Sequence, residues 1–175
     1  MRNKPCILIT LHPRGKFSLG ENRQCLQKAA YHWGILISPK DPNAGVHTHF
    51  DVTDSIYIDP HTGEVRDNWR FRERGDSKPI LAFLILARVQ IAKVPRGVGV
   101  GELGRRFSEI PLPRKEVDGD NCVSWVRGAI EMLSKMGALE EGFDVDKVMD
   151  DALGFADVCL REGRELGSVL ESIRS

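Results

Sequence analysis

The chain is poor in cysteine. It has four, Cys6, Cys25, Cys122 and Cys159, and none stands in a CxxC or other metal-ligand spacing. That excludes a zinc ribbon and, at this length, a disulfide scaffold, and it points to a reducing, cytoplasmic setting. An excess of one charge is also missing, because 25 Lys and Arg balance 25 Asp and Glu. Neither nucleic acid nor an acidic membrane surface is therefore indicated as a partner. Long apolar runs are absent too. The longest, Pro79 to Ala87, stops at Arg88 and is too short for a membrane span. The Cys6 to Leu11 stretch, bracketed by Pro5 and Pro13, is too short for a signal-peptide core. No internal repeat or low-complexity tract stands out in the 175 residues. One domain over 1–175 is expected, β-rich from 5 to 95 and helical from 100 to 175.

Cys6 to Leu11 is rich in β-branched residues and reads as a buried strand ended by Pro13 and Gly15. Glu21 to Ala30 suits a short helix. Tyr31 to Ser38 and Val46 to Ser55 read as two strands joined across the Pro39–Gly45 loop, with Phe50 and Val52 on one face and His47, His49, Asp51 and Thr53 on the other. After turn signals at Asp59-Pro60 and Thr62-Gly63 comes an alternating, half-exposed strand at Trp69 to Arg72. Arg66, Arg70, Arg72 and Arg74 interleave there with Glu64, Asp67, Glu73 and Asp76, the pattern of a salt-bridged surface strand. Ile80 to Val94 is the strongest strand signal, and its apolar first half suits a central strand covered on both faces. Gly97, Gly99, Gly101 and Gly104 lack the Lys-Ser/Thr of a phosphate loop and read as a flexible loop able to flap over a pocket, before a short helix at Glu102 to Ile110. From Cys122 a helical stripe runs through Trp125, Val126, Ala129, Met132, Leu133 and Met136, capped by Asp120 or Asn121 and by Gly137. A second helix spans about Val145 to Leu160. Strands first and helices last make an α+β domain, an antiparallel sheet of about five strands packed against C-terminal helices.

Cys122 is the residue that points to chemistry. At the first turn of a helix, unpaired backbone N–H groups and the helix dipole favour a thiolate and are placed to serve as an oxyanion hole. The competing reading is that Cys122 only begins the core stripe. Cys6 and Cys159 lie on apolar faces and belong to the core, and Cys25 is incidental. His32 has Gly34 two residues on, which leaves room for a group to approach it; the alternative is a core histidine satisfied by one hydrogen bond. If strands two and three pair, His49 or Asp51 lies beside His32 and fixes its tautomer, the third role in a triad. The same His-x-His-x-Asp word opens some dinuclear metal sites. Val52 stands where those need another histidine and only His61 follows, so neither a metal nor any other cofactor is expected.

Tyr31-His32-Trp33, the polar strand with His49 and Asp51, and Asn121-Cys122 together resemble the NlpC/P60 superfamily. They look most like its permuted, LRAT-like branch, in which the histidine strand precedes the cysteine helix. The chain is also similar to small fungal proteins of unassigned function with a Tyr-His-Trp strand and a Cys-x-x-Trp-Val helix. Here Val123-Ser124-Trp125 replaces the family's Glu-His-Phe after the cysteine. The resemblance implies a permuted papain-like fold and a thiol hydrolase or acyltransferase acting on an amide, ester or thioester. Cys122 is then the nucleophile, His32 the general base, and His49 or Asp51 the orienting group. Tyr31, Trp33, Asn121 and Trp125 are the residues expected around substrate and oxyanion. The alternative is a small-molecule-binding protein, or a cofactor-free cyclase or isomerase of secondary metabolism, using the same pocket without thiol chemistry. Oligomeric state is left open.

Overall fold

The β-branched segments near the N-terminus form the middle of one sheet. In the computed structural model, which describes residues 4–41, 45–78, 84–163 and 168–170, strands β1 (Cys6–Pro13), β2 (Tyr31–Ser38), β3 (His47–Thr53), β6 (Arg70–Asp76) and β7 (Ala87–Lys93) pair antiparallel. A short β8 (Ser168–Leu170) adds to β7 in parallel, and the order across the sheet is β6-β3-β2-β1-β7-β8. β4 (Tyr57–Ile58) and β5 (Val65–Arg66) form a separate small hairpin. The helices are α1 (Gly20–Leu26), α2 (Val100–Ser108), α3 (Cys122–Lys135) and α4 (Val145–Arg161). The domain is α+β, as the order of patterns implies.

Strand alternation gives the sheet two different faces. Ile7, Ile9, Leu11, Tyr31, Trp33, Ile35, Phe50 and Val52 share one, and Leu103, Phe107, Trp125, Val126, Ala129, Leu133, Met149 and Ala152 from α2, α3 and α4 close over it as the main core. Each large side chain buried there contributes about 1.5–3 kcal/mol. The other face carries a small apolar cluster of Leu8, Leu36 and Ile85. Beside it lie the polar side chains of Thr10, His49 and Asp51, all fully buried.

Two sequence expectations need correction. The strand expected over Ile80 to Val94 begins only at Ala87. Residues 79–83 lie outside the described residues, and Leu84 sits in an exposed turn at φ +51°, a left-handed conformation that ends strand pairing. A continuous apolar run carries no alternation to fix where a strand starts. The glycine-rich segment is not a flap over the polar face. Helix α2 starts at Val100 with Gly99 as its N-cap, and it inserts Leu103 and Phe107 into the core on the opposite side. Gly104 lets α2 approach closely, since a Cβ there would stand 2.7 Å from Glu73 Oε2 and 3.1 Å from Phe50 Cε1. Among the described residues, no helix is long and apolar enough to cross a membrane.

Candidate functional site

The β2–β3 hairpin places His32 and Asp51 on the polar face, and they meet: His32 Nε2 lies 2.9 Å from Asp51 Oδ2. That contact assigns the Nε2 proton to the side facing Asp51 and leaves Nδ1 for a second partner. Cys122 lies close enough to that ring to help raise its pKa. It opens α3, where Asn121 Oδ1 accepts from Val123 N–H at 2.8 Å and Ser124 Oγ accepts from Asn121 N–H at 3.1 Å. This cap consumes the Val123 N–H and not that of Cys122, so the first helical N–H remains beside the sulfur. Cys122 Sγ is 4.0 Å from the Tyr31 carbonyl oxygen, which holds the helix start against the beginning of β2. His32, Cys122, Asn121, Asp120, Arg72 and Trp69 are among the walls of an open cleft of about 600 Å³.

Electrostatics fix the protonation states. Burial pulls the His32 pKa down, but the Asp51 and Cys122 interactions outweigh it and raise it to about 9, so the ring is an imidazolium at neutral pH. Burial pushes the Asp51 carboxyl up. Its hydrogen bonds with His32 and Arg72, and the charges around it, hold it instead far below the usual carboxylate range. Arg72 grips Asp51 with both Nε (2.8 Å to Oδ1) and Nη2 (2.7 Å to Oδ2), and Arg74 Nη2 adds a contact of 3.0 Å to Oδ2. These two arginines were expected on a salt-bridged surface strand. Alternation along β6 turns them to the buried polar face, where one carboxylate draws both.

Of the two orienting candidates, Asp51 is the one that touches His32. His49 lies behind it, its Nδ1 3.7 Å from Asp51 Oδ2 and 3.3 Å from Arg74 Nη2. Because Arg74 can only donate, His49 Nδ1 accepts and the ring proton sits on Nε2. That nitrogen is 3.0 Å from Thr10 Oγ1 and 3.1 Å from His12 Nε2. Burial, His12 and the other nearby cations drive the His49 pKa well below its ordinary value, so the ring stays neutral. Gly34 makes room for it: a Cβ there would lie 2.6 Å from His49 Nε2 and 3.0 Å from the Phe50 carbonyl oxygen. Gly34→Ala should displace His49 from Thr10 and His12 and lower stability by about 1–3 kcal/mol, measured as a urea midpoint shift at unchanged m-value.

The two histidines act in opposite directions on stability. With a folded pKa of about 9 against an ordinary 6.5, His32 contributes stability that is fully present below pH 6.5 and lost as pH rises through 9. His49, depressed from the same 6.5, contributes stability present above that pH and lost as pH falls below it. A thermal unfolding series should therefore peak near pH 6.5. His32→Gln should flatten the alkaline limb and His49→Gln the acid limb; limbs that survive both substitutions would show that other groups govern the profile.

The remaining expected site residues divide. Asn121 lines the cleft as the helix cap. The Tyr31 hydroxyl does not reach an oxyanion; it donates to Asp157 Oδ1 at 2.8 Å, where Arg23 also binds the carboxylate. Trp33 and Trp125 are core residues on the helix face. Trp33 Nε1 donates to the Lys28 carbonyl at 2.7 Å, and Trp125 packs against Phe71 and Phe107. The one-residue offset from His32 explains Tyr31 and Trp33, because period-2 alternation sends both to the other face; Trp125 belongs to the apolar stripe by which α3 packs on that face. His12, Thr10, Arg14, Trp69 and Lys115 were not anticipated. Thr10 and His12 had a signal, being polar residues two apart within an otherwise apolar strand. Cys159 is buried in the core, Cys25 is exposed, and Cys6 packs on the small cluster. Among the described residues, no group of three or more His, Cys, Asp or Glu side chains is placed to hold a metal ion.

A family model described as a family of unknown function (DUF6914) matches residues 4–169. No curated protein and no solved structure matches the chain.

Proposed function

For this chain, which belongs to the DUF6914 family and takes no activity from that membership, we propose a cysteine-dependent hydrolase or acyltransferase acting on an amide, ester or thioester. One observation carries the reading: an Asp51-bound His32 ring and Cys122, the first residue of a helix, line the same open cleft. The resemblance of Tyr31-His32-Trp33 and Asn121-Cys122 to the permuted, LRAT-like branch of the NlpC/P60 superfamily points the same way.

The raised His32 pKa alters the expected role of the histidine. In this reading Cys122 reacts as the thiolate, and the charged His32 ring holds the proton that the leaving group needs. Cys122 Sγ then attacks the carbonyl carbon, and the developing oxyanion meets the Cys122 N–H at the positive end of α3. As the intermediate collapses, the bond to the leaving group breaks and His32 gives that group its proton. Neutral His32 next takes a proton from water or an acceptor nucleophile, which attacks the thioester and frees Cys122. Asp51 holds the ring throughout. The test is mass spectrometry after incubation with activated acyl thioesters. An acyl adduct on the Cys122 peptide, slowed by His32→Gln, supports the assignment. Adducts confined to exposed Cys25, or none, would remove it and favour non-covalent ligand binding in the same cleft.

A further inference from the structure

Cations line the cleft that holds Cys122. Lys115 is already paired with Asp67. Arg72 keeps its Nη1 outside its two bonds with Asp51, which use Nε and Nη2, and its side chain is 29% exposed. Arg14 adds a second cation to the wall. Its Nη1 donates to the Ala29 carbonyl, its guanidinium lies over Phe17, and among the described residues it has no carboxylate partner. Two acids, Asp54 and Asp120, also line the cleft. Asp120 is already engaged by the Ser124 hydroxyl and the Arg114 N–H.

Resting on the thiol-enzyme reading, we propose that the cleft selects acyl substrates that carry a carboxylate near the reacting carbonyl, recognised by Arg72 and Arg14. A guanidinium fork matches a carboxylate in shape and charge, and in a part-buried cleft it is screened less than at an open surface. A neutral acyl chain of the same size forms no such pair.

The experiment compares alkylation of Cys122 by iodoacetate and by iodoacetamide, which share a reaction and differ in charge. Rates are read by peptide mass spectrometry, with a small free thiol as the reference. The iodoacetate-to-iodoacetamide ratio at Cys122 should exceed that of the free thiol about fivefold or more at low salt. Arg14→Gln, an exposed position, should lower the ratio about threefold, and 0.5 M salt should do likewise. A ratio at or below that of the free thiol, or one indifferent to Arg14 and to salt, overturns the anionic-substrate assignment while leaving the nucleophile in place. Failure of Cys122 to react with either reagent overturns the thiol chemistry and this assignment with it.

Discussion

Replacing Cys122 by alanine removes turnover by about 10⁴-fold or more, to the level that the cleft alone supports, and leaves the fold intact. The size follows from the proposed mechanism, in which the covalent intermediate forms on the Cys122 sulfur. The small structural effect follows from the site. Cys122 is 4% exposed and loses only one sulfur, while the Asn121 cap and the Trp125, Val126 and Ala129 anchors of α3 are untouched. A melting temperature within a few degrees of the parent, together with loss of acyl transfer and of thiol labelling, is the expected pair of results. Unchanged turnover in Cys122→Ala would end the proposal. Cys122→Ser keeps a hydroxyl in the same place and separates nucleophilicity from shape: it should be as inactive as alanine, because His32 enters the reaction already protonated and is a poor base for an alcohol.

Asp51→Asn should damage activity and stability together. It keeps the volume but removes the carboxylate that Arg72, Arg74 and His32 share. Losing the charged hydrogen bonds of this buried carboxylate to part-exposed cations costs about 1.5–3 kcal/mol. The His32 pKa then falls from about 9, because burial opposes its charged form and Asp51 no longer offsets it. The ring is held less well in its charged form and in its orientation, and acyl transfer falls by about 10³–10⁴-fold. Following the His32 Cε1 proton by NMR across pH distinguishes this from simple unfolding. A His32 that still titrates near 9 in a folded Asp51→Asn protein would show that Asp51 does not control it.

The strand that carries His32, the one that carries Asp51 and the helix that begins at Cys122 were all legible, because each has an unambiguous period and clear breakers. Alternation along Val46 to Ser55 even placed His49 and Asp51 on the correct face. What could not be read was the choice between them, since two polar residues on one strand face differ only in which neighbour stands opposite. Pairing across β2 and β3 decides it by setting Gly34 opposite Asp51, which leaves Asp51 within reach of His32. Arg72 and Arg74 were misassigned for a related reason. Interleaved acids and bases look alike on a solvated strand and on one with a buried face, and the buried carboxylate that attracts them lies on another strand. Tyr31 and Trp33 show the converse: adjacency to a site residue in a strand puts a side chain on the far side of the sheet. The Ile80–Val94 misreading came from a run with no polar residue to mark its start.

Tyr31 and Cys122, whose contact brings helix and strand together, are 91 positions apart in the chain, whereas His32 and Asp51 are 19 apart. His32 and Asp51 can therefore come together within a single hairpin, but Cys122 meets them only after α3 (Cys122–Lys135) docks on the sheet. In the proposed chemistry, a chain that has emerged only as far as β3 already has the histidine and its carboxylate partner and still lacks the sulfur.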